Sequence, residues 1–128
     1  MTHHAIPTFM RGKQKKMTLP EAVKTFIKPG CTLCTGGFSY TRKPFALGRE
    51  IIRQNIGDLF VTMNGGASLE DMLVGAGLVK MLDTTYIGLE GIQPVANNIR
   101  RAVQDGDIDI EDYSNYGFGS RTIAGRYG

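Results

Sequence analysis

A chain of 128 residues is long enough for one domain, and its apolar content of 41% is ordinary for a globular protein; no uninterrupted apolar run approaches the roughly 20 residues of a membrane helix. The formal charge of +3 is concentrated at one end: Arg11, Lys13, Lys15 and Lys16 lie in the first 16 residues, which hold no acid, and without them 11 basic residues face 12 acidic ones, a net of −1. A nearly neutral body argues against a nucleic-acid face, and neither nucleic acid nor a membrane is expected as a partner.

Residues 1–16, "MTHHAIPTFMRGKQKK", lack the apolar core of a secretory signal and read as a mobile, solvated basic tail ahead of a domain at 17–128. His3 and His4 fall in that tail, and two adjacent histidines alone do not make a metal site, so no metal is expected. Thr18 and Glu21 in "TLPE" have capping-box spacing, and Leu19, Ala22, Val23, Phe26 and Ile27 mark one helical face. "KPG" at 28–30 ends that helix and turns the chain into a strand at 31–35. Cys31 and Cys34 in this strand have C-x-x-C spacing, but strand residues three apart point to opposite faces and no second ligand pair exists. Both are expected to be small buried hydrophobes, and free buried thiols suit a reducing, cytoplasmic setting.

A helix over about 44–54 should turn Phe45, Leu47, Gly48, Ile51 and Ile52 inward and leave Arg49, Glu50, Arg53 and Gln54 in water. "DLFVTM" at 58–63 is a second strand, closed by Asn64, Gly65 and Gly66. Ser68 and Asp71 have the spacing to cap a helix with Leu69, Met72, Leu73 and Ala76 inside, stopped by Gly75 and Gly77. "KMLDTTYIG" at 80–88 predicts a third strand, and Val95 to Val103 a helix ended by Asp105 and Gly106. "DIDIED" at 107–112 alternates as an edge strand does, and Ser114 could cap one further helix. That last segment is rich in glycine and ends without a closing strand, which leads us to expect a shortened domain with an unprotected sheet edge.

Short apolar strands alternating with amphipathic helices predict an α/β fold, a mostly parallel sheet flanked by helices. In such sheets ligands sit beyond the carboxyl ends of the strands, so the glycine pairs 36–37 and 65–66 should line one crevice. Gly36 and Gly37 let a ligand approach their amides, and the helix opening at Pro44 offers free N–H groups to an anion. Arg42 and Lys43 are disfavoured at that helix end by several tenths of a kcal/mol unless an anion or an acidic partner offsets them. The plainer alternative points both cations into water. "GGFSYTRKP" fits neither a dinucleotide fingerprint nor a phosphate-binding Walker loop, which disfavours nucleotide hydrolysis. Glu90, between glycines in "GLEG", stands where a carboxylate nucleophile could, although a surface-loop carboxylate is the commoner outcome. With both histidines in the tail, a self-contained Ser–His or Cys–His catalyst is disfavoured.

Several of these features occur together and in order from residue 17 to about 114: G-G-F at 36–38, R-K-P at 42–44, E-I-I-R-Q at 50–54, D-L at 58–59, the pair 65–66, D-M-L-V-G-A-G-x-V-K at 71–80 and E-D-Y-S at 111–114. The combination resembles the N-terminal part of the alpha subunit of family I CoA-transferases, in the style of the glutaconate enzymes. What the resemblance implies is a fold of the sugar-isomerase and CoA-transferase type and a subunit that moves CoA between an acyl-CoA and a carboxylic acid by a ping-pong route. It implies that the nucleophilic glutamate belongs to a beta-subunit partner, so no catalytic residue is expected in this chain and Glu90 is not promoted. The substrates would be CoA or acyl-CoA and a carboxylic acid, with no permanently bound cofactor. The matching wall of the site is Gly36, Gly37, Phe38, Gly65 and Gly66, to which Arg42, Lys43 and Asn64 are added on physical grounds. Two alternatives stay open beside it: a truncated, non-catalytic fragment, and a phosphosugar- or effector-binding module of related fold.

Overall fold

The structure, a computed structural model, describes residues 16–128; the expectations for the basic tail, His3 and His4 included, lie outside the described residues. Helices and strands alternate: α1 (Leu19–Phe26), β1 (Thr32–Cys34), α2 (Phe45–Arg53), β2 (Leu59–Thr62), α3 (Ser68–Gly75), β3 (Val79–Thr84), α4 (Asn97–Asp105), β4 (Asp109–Asp112) and α5 (Asn115–Tyr127). The strands form one sheet in the order β1-β2-β3-β4, every pair parallel, with β4 at an edge as its alternation predicts. All the strand tips therefore point the same way, and the loops that leave them share one end of the molecule.

Register explains which face is buried. Leu33 pairs with Val61, Val61 with Leu82 and Leu82 with Ile110. These residues, with Leu59 and Val79, join Val23, Ile51, Leu73 and Ile99 in one apolar cluster, so α1 to α4 share a single side of the sheet. Burying these side chains, at roughly 1.5–3 kcal/mol each relative to exposure, supplies the main drive for this layer. Alternation sends Thr32, Cys34, Thr62, Asp83 and Glu111 to the other side. There α5 packs on the sheet: Arg121 donates to Asp83 Oδ2 at 2.6 Å and to Glu111 Oε2 at 3.4 Å, and its guanidinium lies 5.0 Å from the Tyr113 ring centre.

Some local signals behave as their chemistry dictates and others do not: Leu19 and Phe26 of the first apolar face, and Val95, expected inward, stay exposed. Glu21 Oε2 accepts from the Thr18 N–H and hydroxyl, closing the start of α1, and Ser114 Oγ accepts from the Gly117 N–H at the start of α5. Cys34, however, is exposed and Cys31 only half-buried, because β1 is an edge strand and Cys34 sits on the thinly covered side. Glu50 is buried rather than in water; it lies against Ile51 and accepts from Arg53 Nε at 2.8 Å and from Gln54. The inner face of α3 is Leu69, Glu70, Leu73 and Val74, rotated by about one position from the expected one, which leaves Ala76 exposed. Finally, Ser68 and Asp71 do not cap α3. Asp71 Oδ1 instead accepts from the N–H groups of Asn98 (2.8 Å) and Ile99 (3.0 Å), capping α4 from outside.

Candidate functional site

The loop that leaves β1 folds back on itself within a few residues. Phe38 and Thr41 exchange backbone hydrogen bonds of 3.0 and 2.8 Å, making a tight turn with Ser39 and Tyr40 at its tip. Gly37 is required there: its φ is +91°, and a Cβ would come within 2.8 Å of the Thr41 and Arg42 carbonyl oxygens. Gly36, by contrast, is exposed, and a Cβ there would meet nothing within 4 Å.

The loop that leaves β2 lies directly beneath this turn. A Cβ on Gly66, whose φ is +81°, would overlap the Ser39 backbone, and one on Gly65 would come within 2.7 Å of the Phe38 ring. Ser68 Oγ, in the first turn of α3, donates to the Ser39 carbonyl at 3.1 Å. The loops that carry the two glycine pairs thus meet, through Phe38 and Ser39 rather than glycine against glycine, and the glycines play different parts. Gly36 is open to solvent, whereas Gly65 and Gly66 are buried as a floor on which the Phe38–Ser39 turn rests. Phe38 keeps 52% of its surface exposed above that floor. Asn64, also exposed, accepts from the Thr85 hydroxyl at 2.9 Å and so links this loop to the next one. Beyond Thr85, a cavity of about 470 Å³ opens at the tips of β3 and β4, lined mainly by Tyr86, Ile87, Pro94, Val95 and Ile110.

The two neighbouring cations separate completely. Arg42 has φ +60°, is exposed and makes no ion pair among the described residues. Lys43 runs inward, and its Nζ reaches Glu70 Oε1 at 2.8 Å with neither side chain exposed. The anion that offsets Lys43 is therefore internal, and Lys43 is withdrawn from the surface a ligand would touch. Thr35 donates its hydroxyl to the same Glu70 oxygen, while Glu70 Oε2 is buried with no partner. The sequence does carry a trace of this cluster: Glu70 precedes Leu73 by three and Val74 by four, in the apolar stripe of its helix. Glu90 stays exposed beside Gly91 on a tight loop held by the Leu89–Gln93 bridge. Among the described residues no group of three or more metal-ligating side chains converges.

The model of one family, coenzyme A transferase, matches residues 16–128, the whole of the described chain. The chain belongs to the coenzyme A transferase family. It is 39% identical over 102 residues to the A subunit of glutaconate CoA-transferase from Acidaminococcus fermentans, covering 78% of this chain and 31% of that protein. Against the A subunit of 3-oxoadipate CoA-transferase from Pseudomonas knackmussii it is 31% identical over 115 residues, covering 88% and 40%. The crystal structure of the Acidaminococcus glutaconate enzyme superposes with a TM-score of 0.70 over 77% of this chain and 31% of that one. The decarboxylase AibA/AibB superposes with a TM-score of 0.73 at 29% identity, over 78% of this chain and 38% of that one. The chain thus spans between 31% and 40% of the length of these relatives.

Proposed function

We propose that this chain forms the alpha-subunit part of an acyl-CoA:carboxylate CoA-transferase and acts only together with a beta subunit. What carries the proposal is the meeting of the β1 and β2 tip loops at one end of a parallel sheet, in a chain whose family model matches every described residue. Its residues divide into a wall and a frame. Gly36, Gly37, Phe38, Arg42 and Asn64 form the wall that faces a ligand. Gly65 and Gly66 support it from below, and Lys43 holds it from inside. Gly36 leaves its amide open to approach by a carbonyl oxygen that becomes anionic, and exposed Arg42 suits the acceptor carboxylate or the phosphates of CoA.

The chemistry is covalent carboxylate catalysis in a ping-pong sequence. A glutamate supplied by the beta partner attacks the thioester carbonyl, expels the CoA thiolate and becomes a mixed anhydride. The thiolate then attacks the glutamyl carbonyl, which releases the donor acid and leaves a glutamyl-CoA thioester. An acceptor carboxylate reverses the two steps and leaves as the new acyl-CoA. No step consumes a cofactor, and this chain supplies binding and orientation. No helix among the described residues is long and apolar enough to cross a membrane, and the two free cysteines suit a reducing, cytoplasmic setting.

Co-expression with a beta subunit, followed by incubation of a panel of acyl-CoA donors with isotopically labelled acetate, tests this directly. Labelled acetyl-CoA should form only when both polypeptides are present. Its absence for every donor would overturn the transferase reading. The likeness to AibA/AibB favours one second reading, a decarboxylase subunit, which the same incubation separates: release of carbon dioxide from an acyl-CoA without any CoA exchange.

A further inference from the structure

We propose that Glu70 is a positioning residue that closes the 35–43 loop by holding both of its ends on one oxygen. Thr35 opens the loop and Lys43 ends it, and both donate to Glu70 Oε1, Lys43 at 2.8 Å. Between those two anchors lie Gly36, Gly37, Phe38 and Arg42, the residues that the transferase reading places against a ligand, and the inference rests on that reading for what the loop serves. Glu70 itself sits in the first turn of α3 and is wholly buried beside Leu69 and Leu73, so its carboxylate has a fixed base. Ser68, two residues earlier, holds the middle of the same loop through the Ser39 carbonyl. One turn of α3 therefore grips the loop at its start, centre and end.

The chemistry favours a positioning role over a purely stabilising one. A buried ion pair contributes little net stability over apolar residues of the same shape, because desolvation offsets the attraction. What it does supply is a directional constraint on the two ends of a segment whose middle is ordered by the Phe38–Thr41 turn and by the Ser68 bond to Ser39. The unpartnered Oε2 fits this role: the carboxylate is placed by what its other oxygen must reach rather than by full satisfaction of its own acceptors.

Two variants separate position from stability. Lys43→Met/Glu70→Met removes both charges together, and Thr35→Val removes only the front anchor and leaves the ion pair in place. Each is measured in the complex with the beta subunit, by thermal melting, by hydrogen exchange at the bonded amides of Phe38 and Thr41 and by CoA exchange kinetics. The double variant also orphans the Thr35 hydroxyl and should melt only a little below the parent, yet exchange those amides about tenfold faster and lose kcat while the KM for acyl-CoA rises. Thr35→Val, which keeps the ion pair, should show the same effects in smaller measure. Parental exchange rates in both variants, or activity that merely follows the melting temperature, would overturn the role. The exchange measurement needs no turnover. A parent protein that transfers no CoA, with variants whose loops loosen as stated, would refute the transferase reading and leave the anchoring intact.

Discussion

Replacing Gly66 with alanine should cost about 2–3 kcal/mol and act through the neighbouring loop. At φ +81° an alanine carries about 1–2 kcal/mol of left-handed strain. Its methyl would also overlap the Cα and N of Ser39, which are backbone atoms and cannot turn aside as a side chain can. The Phe38–Ser39 turn must therefore lift, which breaks the bond from Ser68 Oγ to the Ser39 carbonyl at a cost of about 1 kcal/mol. At roughly 4 °C per kcal/mol for a domain of this size, the melting temperature should fall by about 8–12 °C. Gly36→Ala is the matched control: it adds the same methyl to the companion loop, where nothing lies within 4 Å, and should leave the melt unchanged. Scanning calorimetry of the two variants decides the matter. Overlaying melts for Gly66→Ala and the parent, or equal losses for both variants, would refute the contact between the glycine loops.

Three further outcomes follow from the packing. Asp71→Ala removes the acceptor for two N–H groups at the start of α4 and should lower stability by about 1–2 kcal/mol in urea denaturation, whereas Ser68→Ala should leave α4 untouched. Gly48→Ala gains about 1 kcal/mol of helix propensity but drives its methyl into Leu69 and to 3.0 Å from Met72 Cε, an overpacking cost of about 1–3 kcal/mol, so the net effect runs from neutral to about 2 kcal/mol destabilising. Gly119→Ala on α5, with nothing within 4 Å, should by the same measurement stabilise by up to about 1 kcal/mol; the same sign at both positions would contradict the packing. The hydrogen bonds from Arg53 and then Gln54 hold the Glu50 carboxyl below its ordinary range. Its contribution is accordingly complete above the ordinary carboxylate pKa and is lost as the pH falls through the lowered folded value. Glu50→Gln should therefore flatten the acid limb of a melting-temperature profile taken downward from neutral pH, and an unaltered limb would count against the bonds that Arg53 and Gln54 donate to Glu50.

Alternation of helices and strands was legible because each element carries its own periodic signal: Val23 and Ile51 mark inner faces of helices, and Val61 and Leu82 the inner face of the sheet. Ser114 and Glu21 were legible as caps for the same local reason. What escaped was every polar group whose partner is distant in sequence. Asp71 has the spacing to cap its own helix, yet its partners lie 27 and 28 residues on. Lys43 is recognisable as a cation in need of an anion, but nothing local distinguishes a bound carboxylate from Glu70, 27 residues away on another helix. Cys34 reads as buried because an apolar strand in a parallel sheet is normally covered on both sides, whereas among the described residues its own side is covered by α5 alone. Of the candidate site, the meeting of the two glycine loops followed from the rule that strand-tip loops share one end of the sheet. Their division into an open Gly36, a Gly37 locked in its turn and a supporting pair depended on contacts that sequence spacing does not encode.

In the proposed chemistry this chain provides the wall and a second polypeptide provides the attacking carboxylate. Incubating the two-subunit complex with acyl-CoA, reducing the enzyme-bound glutamyl-CoA thioester with tritiated borohydride, which expels the CoA thiol and leaves a labelled side-chain alcohol, and digesting the protein shows which polypeptide was modified. Modification confined to the beta subunit is the predicted result. Modification of this chain at Glu90, or a complex that turns over acyl-CoA without any trappable thioester, would contradict it.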